Sequence, residues 1–245
     1  MDLIPAIDLR HGEVVRLVKG DDGRRTRYGL DPRQVLADFA AAGVGRVHVV
    51  DLDAAFGEAP QRRLIAELVV AAGDLKIELG GGLRDRPAVD WALLEAGCER
   101  VVLGSLAARD FDAFAAIVGG HPGRVVPAVE VAAGELRIAG WTEAAPIGLE
   151  ELCGRLRGLA CPAALVTDVE RDGTLAGPNL ELARRVHRLS GLPILASGGV
   201  RALDDLRAAA GVAGVAGAIV GKALYDGLFT VDEARRACLG EEPPS

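Results

Sequence analysis

Acidic side chains that could carry protons stand at or just after several short apolar segments of the sequence. Asp8 directly follows the apolar residues 3–7, and Asp172 comes shortly after another such segment. A carboxyl group beside a low-dielectric core has a raised pKa, which suits general acid or base chemistry near neutral pH. We therefore predict that Asp8 is a general base and that Asp172 faces it as the proton donor. Glu130 and Thr167, which end two further apolar segments, complete the predicted catalytic set.

Glycine-rich segments follow four of the apolar segments and predict anion binding. Glycine lacks a Cβ atom and lets backbone N–H groups approach phosphate oxygens, and a helix N-terminus favours an anion. Two matching sets are present, so we predict a small-molecule substrate with two phosphate groups. The predicted phosphate-binding residues are Gly81, Gly82, Gly104, Ser105, Gly173, Gly198, Gly199, Gly221 and Lys222.

Basic residues crowd the stretch that follows Asp8. Arg16 and Lys19 lie nearest to it along the chain, and we predict that both contact the substrate. The whole stretch is predicted to be a mobile basic loop that closes over a doubly anionic ligand and excludes water. For Arg24 and Arg25, a solvated charged loop is an equally good interpretation.

Two ring side chains need separate interpretation. Trp141 follows the fifth apolar segment and either stacks on a ring of the substrate or is a buried aromatic residue. His48 alternates with apolar residues in the second segment, which is typical of a core or rim histidine rather than a catalyst. The sequence has no Ser/His/Asp or Cys/His set at a recognisable spacing, so it gives no support for nucleophilic catalysis.

The elements that must position these residues are eight alternating strand and helix units. Short Val, Ile and Leu segments alternate with segments of helical period, and no dinucleotide-type glycine motif follows the first strand. We predict the α/β class and a single (βα)8 TIM barrel over residues 1–245, whose parallel strands bring their carboxyl ends to one face. The predicted strands span residues 3–8, 46–51, 76–80, 100–104, 124–130, 164–169, 193–197 and 218–221.

An internal repeat appears when the sequence is shifted on itself. Gly81-Gly82 falls on Gly198-Gly199, and Asp51 falls on Asp168, each 117 positions later. A duplicated half-barrel leaves this kind of signature. We predict half-barrels at roughly residues 1–120 and 121–240, followed by a disordered tail at residues 241–245.

Composition excludes several classes of function. The net charge of −7 includes no long basic run, which disfavours nucleic-acid binding. The four cysteines show no C-x-x-C spacing, which disfavours a zinc or redox site. Since no apolar run approaches the ~20 residues that span a bilayer, we predict a cytoplasmic protein without membrane contact, and a monomer.

The motifs together resemble one known family, the ProFAR isomerases of histidine biosynthesis. The matching segments read IPAIDLRHGEVVRLVKGD, VHVVDLDAAFG, ELGGGLRD, VVLGS, VTDVERDGTLAGPN, ILASGGV and AIVGKALY. They extend over nearly the whole chain, from Ile4 to Tyr225. The resemblance implies an Amadori rearrangement of an aminoaldose ribotide to an aminoketose, with no metal and no organic cofactor. It also implies that Asp8 is the base, that Asp172 is a candidate acid and that Thr167 lies in the site.

One departure from the family pattern concerns proton delivery. The family usually carries Asp at the end of the fifth strand, where this chain has Glu130. The added methylene moves the carboxyl group by about one carbon–carbon bond, and a misplacement of ~1 Å can cost ~100-fold in rate. Either the pocket has adjusted to Glu130, or proton delivery rests chiefly on Asp172.

Three alternatives accompany the leading hypothesis. The chain also resembles actinobacterial bifunctional isomerases, which convert phosphoribosyl-anthranilate for tryptophan synthesis. Their Arg two residues before the site Trp is Ala139 here, and their Ser before the paired glycines is Gly80, so we predict weak or no activity on that substrate. The related cyclase of the same pathway would carry Lys in place of Arg16. A non-catalytic phosphate-binding barrel is the alternative from another class.

Overall fold

The structure is a computed structural model that describes residues 1–241 and contains twelve strands and eleven helices. The strands are β1 Asp2–Arg10, β2 Glu13–Val18, β3 Asp21–Arg27, β4 Arg46–Asp51, β5 Lys76–Gly80, β6 Arg100–Leu103, β7 Val125–Ala132, β8 Glu135–Ile138, β9 Glu143–Ala144, β10 Ala164–Asp168, β11 Ile194–Ser197 and β12 Val215–Val220. The helices are α1 Pro32–Ala41, α2 Leu52–Ala55, α3 Arg62–Ala72, α4 Arg86–Asp90, α5 Ser105–Arg109, α6 Phe111–Gly120, α7 Leu149–Leu156, α8 Leu180–Ser190, α9 Leu203–Ala210, α10 Lys222–Tyr225 and α11 Val231–Leu239. A π-helical turn, Trp91–Glu95, continues α4.

Eight of the strands form a closed parallel barrel. In order around the barrel they are β1, β4, β5, β6, β7, β10, β11 and β12, and β12 pairs with β1 to close it. Near the carboxyl ends of β7 and β10, Thr167 lies opposite Glu130 in the parallel register. The fold is therefore the predicted (βα)8 barrel, and the carboxyl ends of its strands meet at one face.

Local sequence signals explain where the helices begin and end. Asp31 accepts a hydrogen bond from the Arg33 N–H group at 2.8 Å, and Pro32 occupies the first position of α1. Asn179 caps α8 through the Leu182 N–H group, and Gly191 ends that helix in the left-handed region with φ of 74°. These are the side chains that favour helix termini.

The barrel has an apolar interior beneath its open face. The interior cluster is made of Ile4, Ala6, Val102, Val126, Ala128, Ala163, Leu165, Leu195 and Ile219. The larger core lies between the strands and the surrounding helices and contains most of the buried Val, Leu and Ile side chains. Small residues such as Ala6 and Ala128 line the cavity floor, so space remains above them for a ligand.

The eight barrel strands match the predicted strands closely, whereas two further strand pairs outside the barrel differ from what was predicted. Residues 13–27, predicted as a mobile basic loop, instead form the antiparallel pair β2 and β3, which continues from β1. That loop prediction was wrong because its apolar residues Val14, Val15 and Leu17, all buried, were given less weight than its charges. We call β2 and β3 the arm. The small strands β8 and β9 extend β7 in a similar way and were also not predicted.

Two predictions concern the chain outside the barrel. No helix within residues 1–241 is long and apolar enough to cross a membrane. The predicted tail at residues 241–245 lies outside the described residues except for Glu241.

Candidate active site

A cavity at the carboxyl ends of the barrel strands brings most of the predicted residues together. It is open to solvent and holds about 1190 Å³ of empty space, counting its mouth. The predicted residues that line it are Asp8, Arg16, Gly81, Gly82, Gly104, Ser105, Glu130, Trp141, Thr167 and Asp172. A smaller adjoining recess shares Arg16 and Asp172 and is also lined by Gly173, Gly198, Gly199, Gly221 and Lys222.

Asp8 lies on β1 at the cavity, where only 8 % of the residue is exposed. The arm folds back on β1, and Arg16 of β2 places its Nη1 atom 2.9 Å from Asp8 Oδ1. Burial raises the pKa of Asp8, while Arg16 and His48 act to lower it. The carboxylate is thus held against a cation at the edge of an apolar core, a setting in which its charge state responds strongly to its neighbours.

Asp172 lies in the loop after β10 and lines both the cavity and the recess. Its carbonyl oxygen accepts a hydrogen bond from the Lys19 N–H group at 3.1 Å, so the arm holds this loop. Burial raises the pKa of Asp172 to about 6, and the nearby charge of Asp8 adds to this while Arg16 opposes it. A carboxyl group with this pKa retains a proton in mildly acidic solution and can donate it.

Glu130 occupies the end of β7 on the cavity wall, where the family pattern has Asp. Burial raises its pKa to about 7; the Trp141 side chain works against this, and the charge of Asp172 adds to it. The Trp141 ring packs on the arm at Gly20, where a Cβ atom would lie 2.6 Å from its Cε3 atom. Glu130 and Trp141 therefore form one unit between β7 and the arm.

His48 and Glu78 form a buried pair that the sequence interpretation did not connect with the cavity. His48 lines the cavity floor and is 6 % exposed, and its Nδ1 atom lies 2.9 Å from Glu78 Oε1. Glu78 is completely buried, and its Oε2 atom lies 3.1 Å from Arg100 Nε. The pair was detectable, since His48, Glu78 and Arg100 follow the inward alternation of adjacent strands.

The glycine cradles are also required by local packing, whatever their predicted role in phosphate binding. We use this name for the segments Gly81-Gly82 and Gly198-Gly199 with the glycines that follow the next strands, Gly104 and Gly221. All four residues of the two paired segments have φ between 67° and 93°, which only glycine adopts readily. A Cβ atom on Gly82 would lie 2.5 Å from the backbone carbon of Ala54, so the absent side chain makes room for helix α2.

The close contacts of the two cradles repeat with the offset seen in the sequence. Gly81 packs against the backbone of Asp51, and Gly198 packs against that of Asp168. Each member of the second contact lies 117 positions after its counterpart in the first. The first glycine of each pair thus makes an equivalent contact, after β5 in one half of the barrel and after β11 in the other.

Three charged residues near the strand ends, among them the predicted substrate contact Lys19, do not line the cavity. Lys19 is exposed and lies outside both the cavity and the recess, although its backbone contacts the Asp172 loop. The Asp51 carboxylate caps α2 through the Ala54 N–H group at 3.1 Å. The Asp168 carboxylate accepts a hydrogen bond from the Asn179 side chain at 2.7 Å. Asp51 and Asp168 therefore shape the loops and do not line the cavity.

One group of possible metal ligands occurs among residues 1–241, outside the cavity. His11, Asp53 and Glu58 place donor atoms within 4.8 Å of one another. Arg10 already bonds to this group, with distances of 2.7 Å to both Asp53 Oδ1 and Glu58 Oε1. Because a guanidinium supplies the positive charge there, we assign the group to the barrel rim and not to catalysis.

The fold and the cavity define the class of protein: a (βα)8-barrel enzyme whose site lies at the carboxyl ends of the strands. Comparison with known proteins then identifies the family. The chain belongs to the family described as Histidine biosynthesis protein, whose model matches residues 2–230.

Named relatives cover almost the whole chain. Phosphoribosyl isomerase A of Streptomyces coelicolor is 45% identical over 239 residues, which is 97% of this chain and 98% of the relative. Phosphoribosyl isomerase A of Mycobacteroides abscessus is 47% identical over 238 residues, covering 95% and 96%. A Thermobifida fusca protein named 1-(5-phosphoribosyl)-5-((5-phosphoribosylamino)methylideneamino) imidazole-4-carboxamide isomerase is 44% identical over 236 residues, covering 96% and 95%.

Proposed function

We propose that this chain isomerises the aminoaldose ribotide ProFAR to its aminoketose in histidine biosynthesis, by an Amadori rearrangement. The family and the names of its full-length relatives support this activity. The Thermobifida fusca relative is named for a compound with two phosphoribosyl groups, which agrees with a cavity flanked by two glycine cradles.

Two carboxyl groups would carry the proton transfers. Asp172 donates a proton to the ribose ring oxygen, and the ring opens to a Schiff base. Asp8 then removes the proton from C2, which gives an enolamine that tautomerises to the aminoketose. The observation that carries this assignment is that Asp8 and Asp172 line one cavity in different electrostatic settings. Carboxyl groups whose pKa values are set apart by their surroundings can serve as base and acid.

The phosphate groups would bind in the two cradles and fix the substrate across the barrel. Gly198, Gly199, Gly221 and Lys222 surround the recess next to Asp172, and Gly81, Gly82, Gly104 and Ser105 line the opposite wall of the cavity. Holding a substrate at both ends orients the reacting ribose between the acid and the base. Thr167, which is 3 % exposed, lies between these ends on β10.

The direct test is turnover of the purified protein on ProFAR, together with growth of a histidine-requiring strain that lacks this isomerase. We expect the protein to form the aminoketose and to restore growth. Failure of both experiments would reject the proposed function. If the protein bound the ribotide but did not convert it, the non-catalytic phosphate-binding barrel would be the better description.

Weak or no activity on phosphoribosyl-anthranilate remains our prediction. Ala139 lines the cavity, and its N–H group donates to Ser105 Oγ at 2.9 Å, so this position offers no positive charge to an anthranilate carboxylate. A side-by-side assay on both ribosyl phosphates, with rescue of a tryptophan auxotroph, tests this. The cytoplasmic location, the monomeric state, the half-barrel boundaries and a reaction without a cofactor likewise stay predictions.

A further inference from the structure

Arg16 occupies a position between the proposed base and the second glycine cradle. Its guanidinium pairs with Asp8 at 2.9 Å, and it also covers Gly221, where a Cβ atom would overlap the guanidinium and lie 2.7 Å from Nε. Gly221 belongs to the recess that also contains Gly198, Gly199 and Lys222. One buried cation therefore touches the base on one side and borders an anion cradle on the other.

The Arg16 side chain has an unused hydrogen-bonding group. Arg16 is 8 % exposed, and its Nε atom is buried without a hydrogen-bond partner. An unpaired buried donor on a charged group is costly, and a guanidinium is well shaped to bind phosphate oxygens in a bidentate manner. The unpaired Nε and its position at Gly221 both indicate that an anion in the recess would attract this side chain.

The charge state of Asp8 depends on the groups around it. Arg16 from β2 is its ion-pair partner, His48 from β4 also favours the charged carboxylate, and Asp172 couples to it from the loop after β10. Two phenols, Tyr28 after the arm and Tyr225 of α10, also lie within electrostatic reach of Asp8 and Arg16. Arg16 is the one guanidinium bound directly to Asp8 among residues 1–241, so its movement has the largest effect on the base.

We propose that Arg16 is a positioning residue that exchanges the Asp8 carboxylate for a phosphate group in the recess, and so releases the base only when a phosphorylated ligand is bound. This inference rests on the proposed function, because it takes Asp8 as the base. In the free protein the ion pair stabilises ionised Asp8 and makes it a weaker base. When phosphate oxygens bind the guanidinium, Asp8 loses this stabilisation and accepts a proton more readily.

The test follows Asp8 itself and requires no turnover. Protein labelled with ¹³C at aspartate carboxyl carbons is titrated by NMR, with the Asp8 signal assigned by its loss in Asp8→Asn. Saturating inorganic phosphate is expected to move the Asp8 titration midpoint upward by about one pH unit, since an opposite charge at this distance shifts a carboxyl pKa by ~1–3 units. In Arg16→Gln, we expect the midpoint to be raised already and phosphate to move it by less than half as much.

A matched variant and a second signal separate the exchange from other effects. Lys222 borders the same recess but pairs with Asp226 at 2.7 Å, so Lys222→Met should need more phosphate and still show the full Asp8 shift at saturation. In the unmodified protein, the ¹⁵Nε signal of Arg16 should also move when phosphate binds, because Nε gains an acceptor. That measurement remains decisive if Arg16→Gln does not fold.

Three results would overturn the proposal. Failure of inorganic phosphate to bind would show that the recess is not an anion site. An Asp8 midpoint that shifts equally in Arg16→Gln and in the unmodified protein would show simple repulsion by phosphate. An Arg16 Nε signal that stays fixed at saturation would show that the guanidinium does not change partner. Failure of ribotide turnover would leave these signals unaffected, so the two proposals can fail separately.

Discussion

At the scale of single residues, three carboxyl groups face the cavity, and their surroundings assign them different tasks. Asp8 is bound to Arg16, Asp172 has a pKa raised to about 6, and Glu130 has a pKa raised to about 7. The pKa of Glu130 is lowered by the Trp141 side chain, whereas that of Asp172 responds to the charges of Arg16 and Asp8. We infer that Asp172 supplies the proton and that Glu130 chiefly fixes Trp141.

Replacing the base should remove catalysis and leave binding. We expect Asp8→Asn to lower kcat by about 10²–10⁴-fold, the usual contribution of a general base, with little change in the affinity for a product analogue. Steady-state kinetics and calorimetric titration measure the two effects. Asp51→Asn is the control, since Asp51 ends the neighbouring strand β4 but caps α2 outside the cavity. Turnover that survives in Asp8→Asn would refute the role of Asp8.

The pH dependence should identify the acid. Because Asp172 must be protonated to act, kcat/KM is expected to fall as pH rises through about 6, the pKa of this group in the free protein. Asp172→Asn should lose at least ~100-fold in rate together with this alkaline limb, while Glu130→Gln should stay within about tenfold and keep it. A limb near pH 7 that disappears in Glu130→Gln would instead make Glu130 the acid.

Sequence predicted the location of a site residue correctly where the residue's position at the end of a barrel strand determines which way its side chain points. Asp8, Glu130, Thr167 and Asp172 lie in the cavity as expected, because parallel strands of a barrel deliver their ends to one face. Lys19 does not, since the reversal between β2 and β3 turns its side chain to solvent, and proximity in sequence could not show this. These placements bring the residues together, while their individual roles stay predictions.

At the scale of elements, the arm supports two of the segments that carry site residues. Lys19 donates its N–H group to the Asp172 carbonyl oxygen, and a Cβ atom on Gly173 would overlap the Leu17 carbonyl oxygen. On the other side, the Trp141 ring packs on Gly20. The arm, a hairpin that extends from β1, therefore positions both the turn between β8 and β9, which carries Trp141, and the loop after β10, which carries Asp172.

A methyl group on the arm should disturb the site without touching the carboxyl groups. Gly20→Ala is expected to displace the Trp141 ring, because the added Cβ atom would lie 2.6 Å from it, and to lower kcat/KM about tenfold or more. Gly12→Ala is the matched control, because Gly12 has a similar φ of 80° and no neighbour within 4 Å. Both variants should lose similar stability from backbone strain. Equal kcat/KM values in the two variants would therefore show that the packing of Trp141 on the arm does not affect catalysis.

The cradle glycines should matter first for folding. A Cβ atom on Gly82 would meet the α2 backbone at 2.5 Å, so we expect Gly82→Ala to lower the free energy of unfolding by about 2 kcal/mol or more. Gly57→Ala is the control, with φ of 85° and nothing within 4 Å, and should cost about 1 kcal/mol. Urea unfolding compares them. Equal decreases in the free energy of unfolding would show that helix α2 moves aside easily.

At the scale of the whole molecule, the sequence was sufficient for the architecture because its signals agreed at every level. Eight βα units and the repeat of 117 positions both indicated a closed barrel, and the helix caps Asp31 and Asn179 of the structure agree with them. The buried relation of His48, Glu78 and Arg100 was harder to predict, since polar residues inside a barrel find partners only after three strands have assembled. The arm was missed for a different reason: the charges of its sequence were given more weight than its buried apolar residues. Its strands pair only with each other and with β1.

The positions of the two cradles in the barrel fix the distance between them, and this distance has a consequence for ligand length. One cradle follows β5 and β6 and the other follows β11 and β12, on opposite sides of the ring of strands. Their separation is set by the circumference of the closed eight-stranded barrel. Under the proposed function, a ligand would be selected first by the span between its two anionic ends and then by the chemistry of its middle portion.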